Sequence, residues 1–291
     1  MVRKEKFIEG FFFINGMAVI IVLLGIFVLL IVNAIPAFRD ISVWDFLTGK
    51  VWNPEAYGKP SFGIVSMVVS TLMVTAGSLI VAIPLGIGTA AYLTDVASPR
   101  VREIAKPVVE ILAGIPSVVI GFLGIVLVGP IIAKLTHQTS GLNAINGSIL
   151  LAVMALPTII SLSEDALSSV PKSYTEASWA LGANKWQTLI TVKIPAASSG
   201  ILAACMLGMG RAIGETMTVL MACGNASAFP HSFIDPVKTM TATIAIELGE
   251  VPYNTTHYYS LFAVGLVLFI FTFFVNLVSD TFLHKYEKVN R

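Results

Sequence analysis

Residues 171–195 read PKSYTEASWALGANKWQTLITVKIP, a polar interval set between two long apolar runs. Its local chemistry predicts two short helices. Ser173 followed by Glu176 has the spacing of a capping box, which starts a helix at Tyr174. Gly182 stops that helix about two turns later, as a C-terminal glycine does. Asn184 followed by Gln187 is a second N-terminal signal and opens another short helix toward Lys193. Ala177, Leu181, Trp186 and Leu189 give the pair apolar positions that a solvated loop would not need. Such an element either rests on lipid headgroups or docks against a partner, and Trp186 suits both roles.

The runs on either side set the class of protein. Of 291 residues, 56% are hydrophobic and 12% charged, and the mean hydropathy is +0.85. A soluble chain averages about 25% charged residues, so a water-soluble domain of this length is excluded. The 18 basic and 17 acidic residues nearly cancel, which leaves no global field to draw in nucleic acid. Six stretches reach the ~20 apolar residues a spanning helix needs: roughly 11–35, 62–94, 108–133, 147–167, 196–224 and 259–283. The expectation is an all-α, polytopic membrane protein with about six transmembrane helices. Pro84, Pro116, Pro130 and Pro157 interrupt the second to fourth, which neighbouring helices make tolerable. The second is long enough to tilt or to kink near Pro84. The first is too long for a cleaved signal peptide, and Asn33-Ala34-Ile35-Pro36 does not look like a cleavage site.

Basic residues orient the chain. Arg3, Lys4, Lys6, Arg100, Arg102, Lys106, Lys172, Lys185, Lys193, Lys285, Lys288 and Arg291 fall on one side, against Arg39, Lys50, Lys59, Lys134 and Lys238 on the other. The positive-inside rule places both termini and residues 171–195 in the cytoplasm. Outside, residues 36–61 and 225–258 are long enough to make a surface, and Thr239 to Leu248 has the pattern of a short helix. Asn146, Asn225 and Asn254 match the glycosylation sequon. Cys205 and Cys223 would lie about 27 Å apart on one helix, too far for a disulfide. No Cys/His cluster has metal-site spacing.

One basic residue, Arg211, falls inside a run. Gly208-Met-Gly-Arg211-Ala-Ile-Gly-Glu215-Thr-Met217 places an arginine and a glutamate at i and i+4, on one face of the expected fifth helix. A charge at mid-membrane costs about 3 kcal/mol even on the lenient insertion scale. Two charges there are either a neutralising ion pair that pins the helix to a neighbour or a site for an anion. Guanidinium offers a planar fork of donors matched to oxyanions, and the carboxylate can accept a hydrogen bond from a protonated phosphate, which sulfate cannot offer. Elsewhere, Glu110 is expected to cap the third helix at its N-terminus. Glu164 and Asp165 are expected to be solvated at the cytoplasmic end of the fourth, and Glu247 and Glu250 to lie in a plain polar loop outside.

Two motifs resemble known families. Glu176-Ala177-Ser178, three residues, Gly182, nine residues, then Val192-Lys193-Ile194-Pro195 closely resembles the E-A-A-x3-G-x9-I-x-L-P motif of ABC importer permeases. The departures are Ser178, Val192 and Ile194. The resemblance implies a type I importer permease (MetI-like) fold that works by alternating access. It also implies that residues 174–191 are coupling helices seated in a cleft of an ATPase subunit, with Glu176, Ala177 and Gly182 shaping the elbow. No G-x-x-x-x-G-K-[ST] segment is present, and Gly49-Lys50-Val51 is its nearest fragment. ATP, with its Mg, therefore belongs to partner ATPase subunits, and this chain is not itself an enzyme.

GRAIGETMTVLMACGN at 210–225 and EILAGIPSVV at 110–119 resemble the PstC-type permeases of phosphate importers, a likeness running from about 61 to 285. PstA-type sisters share R-x-x-G-E-T but continue with Ala-Pro where this chain has Met217-Thr218. The resemblance implies that Arg211 and Glu215 line the path of inorganic phosphate. It also implies a PstA-type permease, two PstB-type ATPase subunits and a PstS-type extracytoplasmic phosphate-binding protein as partners, in a prokaryotic cell membrane. Since one guanidinium cannot neutralise a phosphate dianion, the partner permease is expected to add a basic residue. The expected division is a first helix and outer loop (1–60), a permease domain (61–285, coupling helices about 173–193) and a tail (286–291). Another oxyanion such as sulfate or molybdate stays open as the substrate, and so does a phosphate-sensing scaffold role.

Overall fold

Without water to bind free peptide groups, an apolar run must close its own hydrogen bonds, and helix is the form that does so. The computed structural model describes residues 2–289, with side chains from 8 to 278, so Arg3, Lys4, Lys6, Lys285, Lys288 and Arg291 lie outside the described side chains. The chain runs α1 (Val2–Ala34), a 3-10 turn (Ile35–Arg39), α2 (Val43–Thr48), β1 (Trp52–Asn53), β2 (Ser61–Phe62), α3 (Val65–Ala91), α4 (Pro99–Gly114), α5 (Ser117–Leu123), α6 (Gly129–Thr136) and α7 (Ala144–Ser168). It continues through α8 (Lys172–Ala180), α9 (Lys185–Thr188), α10 (Ile194–Ala196), α11 (Ser198–Gly214), α12 (Met217–Ala222), α13 (Met240–Glu247) and α14 (Thr256–Val289). Wider π-helical turns, which had no sequence signal, occupy Tyr92–Val96, Gly124–Val128 and Leu189–Lys193. Among the described residues, five segments are long and apolar enough to cross a membrane: Ile8–Arg39, Val65–Val96, Ser117–Thr136, Ala144–Ser168 and Thr256–Val278. A pair bent by 70°, Lys185–Ala196 with Ser198–Gly214, makes a sixth.

The third span differs from the expected 108–133. Ile115 is extended (φ −68°, ψ 127°), because a proline pushes the residue before it out of the helical region. The chain breaks there, and α5 starts afresh at Ser117. Upstream, α4 is a separate amphipathic helix with no buried residue, capped at Ser98, whose side chain accepts from the Val101 N–H. Glu110 lies exposed in its second half, so the N-terminal cap expected of that residue does not exist.

Close approach holds the centre together. Ile159 of α7 is fully buried, and a Cβ built on Gly86 of α3 or Gly208 of α11 would meet it at 2.6 and 2.8 Å. The two glycines thus let three helices close on one side chain, the small-residue packing that membrane helices favour. At the outer end, Phe46, Trp52, Ile64, Met67, Met240 and Leu261 form a second core beneath the β1–β2 hairpin. Asn146, one of the sequon residues, is fully buried and donates to the Gly124 carbonyl (2.9 Å), where a π turn begins.

Candidate functional site: a broken span and a cytoplasmic elbow

The fifth span is not the continuous helix expected over 196–224. α11 ends at Gly214, Glu215 is extended (φ −67°, ψ 133°), and α12 begins at Met217. The i,i+4 relation of Arg211 to Glu215 is therefore cut, and no ion pair joins them among the described residues. Each charge is instead placed at the helix end that suits it. Arg211 is in the last turn of α11, where a cation favours the negative end of the helix dipole. Glu215 Oε1 accepts from the Thr218 N–H in the first turn of α12 (3.3 Å), where an anion is favoured. Arg211 is exposed on this chain and makes no hydrogen bond or ion pair among the described residues. It lies about 20 Å along α11 from Ser198, within the fifth span.

Hydroxyl groups repair the backbone at the break. Thr241 Oγ1 of α13 donates to the Glu215 carbonyl (2.8 Å) and lies 3.0 Å from Thr239 Oγ1, which in turn caps α13 by accepting from Ala242 N–H. Thr218 Oγ1 donates to the Ser117 carbonyl (3.1 Å), so the breaks in the third and fifth spans adjoin. Thr71, Thr75, Thr239, Thr241 and Glu215 border a tightly packed crevice with no room for a water molecule. Sequence reasoning missed these threonines. Their only signal was a density of hydroxyls in apolar surroundings.

The outer helix that carries Thr241 is itself clipped in place. Glu247, expected in a plain polar loop, accepts from Trp52 Nε1 (2.9 Å) and pairs with Lys238 Nζ and with His257 Nε2 (2.8 Å). Burial pushes its carboxyl pKa up, but the hydrogen bonds from His257 and Lys238, the Lys238 charge and the Trp52 bond outweigh that, holding it below the ordinary carboxylate value. Glu250 is exposed. Glu164, expected to be solvated, is 2% exposed and accepts from Arg102 Nη2 at 2.6 Å, with Lys106 at 3.6 Å, so it fastens α7 to α4. Asp165 is exposed as expected.

The elbow follows its local signals with one exception. α8 starts at Lys172 behind Pro171, and no side chain caps it, so the Ser173–Glu176 box does not form. Glu176 and Ala177 are exposed, and Glu176 makes no hydrogen bond among the described residues. Gly182 ends the helix in the left-handed region (φ +84°), with the Ala183 N–H donating back to the Ser178 carbonyl. The Asn184–Gln187 box is complete in both directions (2.9 and 2.8 Å). Ser178, a departure from the motif's alanine, is buried and shares a 2.9 Å hydrogen bond with Thr188, tying α8 to α9. Leu189 turns inward at 3% exposure, while Trp179, Leu181 and Trp186 face outward at 51%, 90% and 63%. An outward apolar surface of that size on a cytoplasmic element marks a contact surface.

Comparison with known proteins agrees with this geometry. A family model described as binding-protein-dependent transport system inner membrane component matches residues 82–288. The chain is 40% identical over 235 residues to a Bacillus subtilis protein named probable ABC transporter permease protein YqgH, covering 81% of this chain and 76% of that one. It is 33% identical over 263 residues to a Mesorhizobium japonicum phosphate transport system permease protein PstC, covering 84% and 79%. The inward-facing MetNI methionine ABC transporter shares the fold, with a TM-score of 0.61 at 21% identity over 77% of this chain and 95% of that one. This chain belongs to the inner-membrane components of binding-protein-dependent transport systems and is the permease subunit of an ABC importer.

Proposed function

We propose that the chain passes inorganic phosphate into the cytoplasm as the PstC-type half of a permease pair. The observation that carries this reading is Arg211: a guanidinium inside a span, with no donor engaged among the described residues, beside a break whose carboxylate is independently held. A planar fork of donors without a partner is a receptor for a tetrahedral oxyanion. Among the described residues Glu215 engages only Oε1, which leaves an acceptor for the proton of a monohydrogen or dihydrogen phosphate. Relatives named as phosphate transport permeases support the same substrate. Because Arg211 is exposed on this chain, the site closes only against a second subunit, and that PstA-type partner supplies the remaining positive charge. PstB-type ATPase subunits, which carry the ATP and Mg, dock beneath the elbow against Glu176, Ala177 and Gly182, and a PstS-type protein delivers phosphate outside.

Uptake by the reconstituted complex in proteoliposomes tests the reading. Phosphate import should be saturable and indifferent to excess sulfate or molybdate across pH 6–8 (about one unit either side of neutrality, where phosphate keeps a proton while sulfate has none). It should collapse in Arg211→Ala. Wild-type uptake by that variant, or displacement of phosphate by sulfate, would falsify the assignment.

A further inference from the structure

The elbow meets the spans through an apolar cluster and a single charged contact. Leu189 and Ala197 pack with Ala90 and Ala91 of α3, Leu167 of α7 and Ile201 of α11. Beside that cluster, Lys193 Nζ lies 2.5 Å from Asp95 Oδ1, across 98 residues of sequence. Both side chains are mostly buried, at 12% and 22% exposure, and among the described residues no other ion pair joins the elbow to a span. Each partner sits on a π turn: Asp95 within Tyr92–Val96, where the second span reaches the cytoplasm, and Lys193 at the end of Leu189–Lys193, where the elbow turns into the fifth span. A π turn is an uncommon local widening of a helix that recurs at functional points. The second oxygen of the same carboxylate, Asp95 Oδ2, is buried with no hydrogen-bond partner. A buried acceptor left without a donor is unfavourable and is seldom tolerated without a use.

We propose that the Asp95–Lys193 pair is the strut through which displacement of the coupling elbow reaches the second span. This rests on the elbow docking an ATPase subunit, but not on the identity of the transported ion. The apolar cluster can slide, since dispersion contacts have no direction. The ion pair cannot slide without breaking, so it makes the two segments move together. Asp95 and Lys193 are positioning residues, and neither touches substrate.

The test uses the assembled complex with its partner permease and ATPase subunits. A cysteine in place of Val96, which is 50% exposed, reports on the cytoplasmic end of the second span, while Cys205 and Cys223 are buried. Maleimide labelling of Val96→Cys is compared with and without vanadate-trapped ATP, and ATP hydrolysis is followed to confirm assembly of each variant. Trapping should change the labelling rate several-fold. Lys193→Met and Asp95→Asn should each abolish that change while hydrolysis persists, Lys193→Arg should keep it, and the exchange Asp95→Lys with Lys193→Asp should restore most of it. The proposal is overturned if either single neutral variant retains the full change. It is also overturned if Lys193→Arg loses as much as Lys193→Met, or if trapping moves nothing in the parent. Phosphate uptake by the same complexes reports separately on the substrate, so failure of one reading is not mistaken for failure of the other.

Discussion

The cytoplasmic elbow and the break at Glu215 are both places where helix gives way, and they do so for opposite reasons. At the elbow the stop is local: Gly182 adopts φ +84° and Asn184 caps the next helix, so a few neighbouring residues suffice. At Glu215 no proline ends α11, and Gly214 with the Glu215 side chain supplies only part of the stop. The break exists because groups far along the chain receive the freed carbonyl and position the next turn, Thr241 from α13 and Ser117 from α5. An interruption coded locally can be moved as a unit by a partner. One held by tertiary contacts responds to whatever moves those contacts.

The largest effect that separates the two is expected from Arg211→Ala. Phosphate uptake should fall roughly 100-fold, the upper end for hydrogen bonds to a charged group, about 3 kcal/mol. The melting temperature of the purified subunit should hardly move, because Glu215 has its own cap. A buried pair broken by losing one member would cost about 3–5 kcal/mol of stability, so a large drop in melting temperature would restore the ion-pair view. Next, Gly182→Val forces a branched side chain into the left-handed region at a cost of about 1–2 kcal/mol. Titration of the ATPase subunit should show about tenfold weaker association, with the spans still folded.

Smaller changes sharpen the distinction. Thr241→Val removes one hydrogen bond at the break, worth about 1 kcal/mol, and should slow uptake about fivefold, whereas Thr241→Ser should not. Ser178→Ala and Thr188→Val should each destabilise the elbow but fail to add, with a coupling of about 1 kcal/mol in a double-mutant cycle read by thermal melting. The smallest effect is pH-dependent. Glu247 has a lowered folded pKa, so its contribution is complete above the ordinary carboxylate value and disappears as pH falls through the lowered one. Hydrogen exchange on α13 should therefore stay slow through neutral pH and quicken only in acid, and Glu247→Gln should remove that dependence.

The same contrast explains what could be read without coordinates. The second cap of the elbow and the stop at Gly182 rest on neighbours within four residues and appear where expected, as do the first, second, fourth and sixth apolar runs. The i,i+4 reading of Arg211 and Glu215 assumed an unbroken helix and failed, because Thr241 is 26 residues away from the carbonyl it holds. Glu164 was misplaced for a related reason: its partner Arg102 is 62 residues distant, and nothing near Glu164 announces a buried charge. Glu110 is no cap of the third span because Pro116 separates two helices instead of interrupting one.

Ile159 has a consequence for how this chain can vary. Its side chain fills the space left by Gly86 on one helix and Gly208 on another, so three positions on separate segments share one volume. An added methylene in such a place costs about 1–3 kcal/mol, and no change at a single one of them relieves it. Viable sequences must therefore alter these sites jointly or leave them alone. A combinatorial library at 86, 159 and 208 should return survivors as matched triplets, whose summed side-chain size is nearly constant.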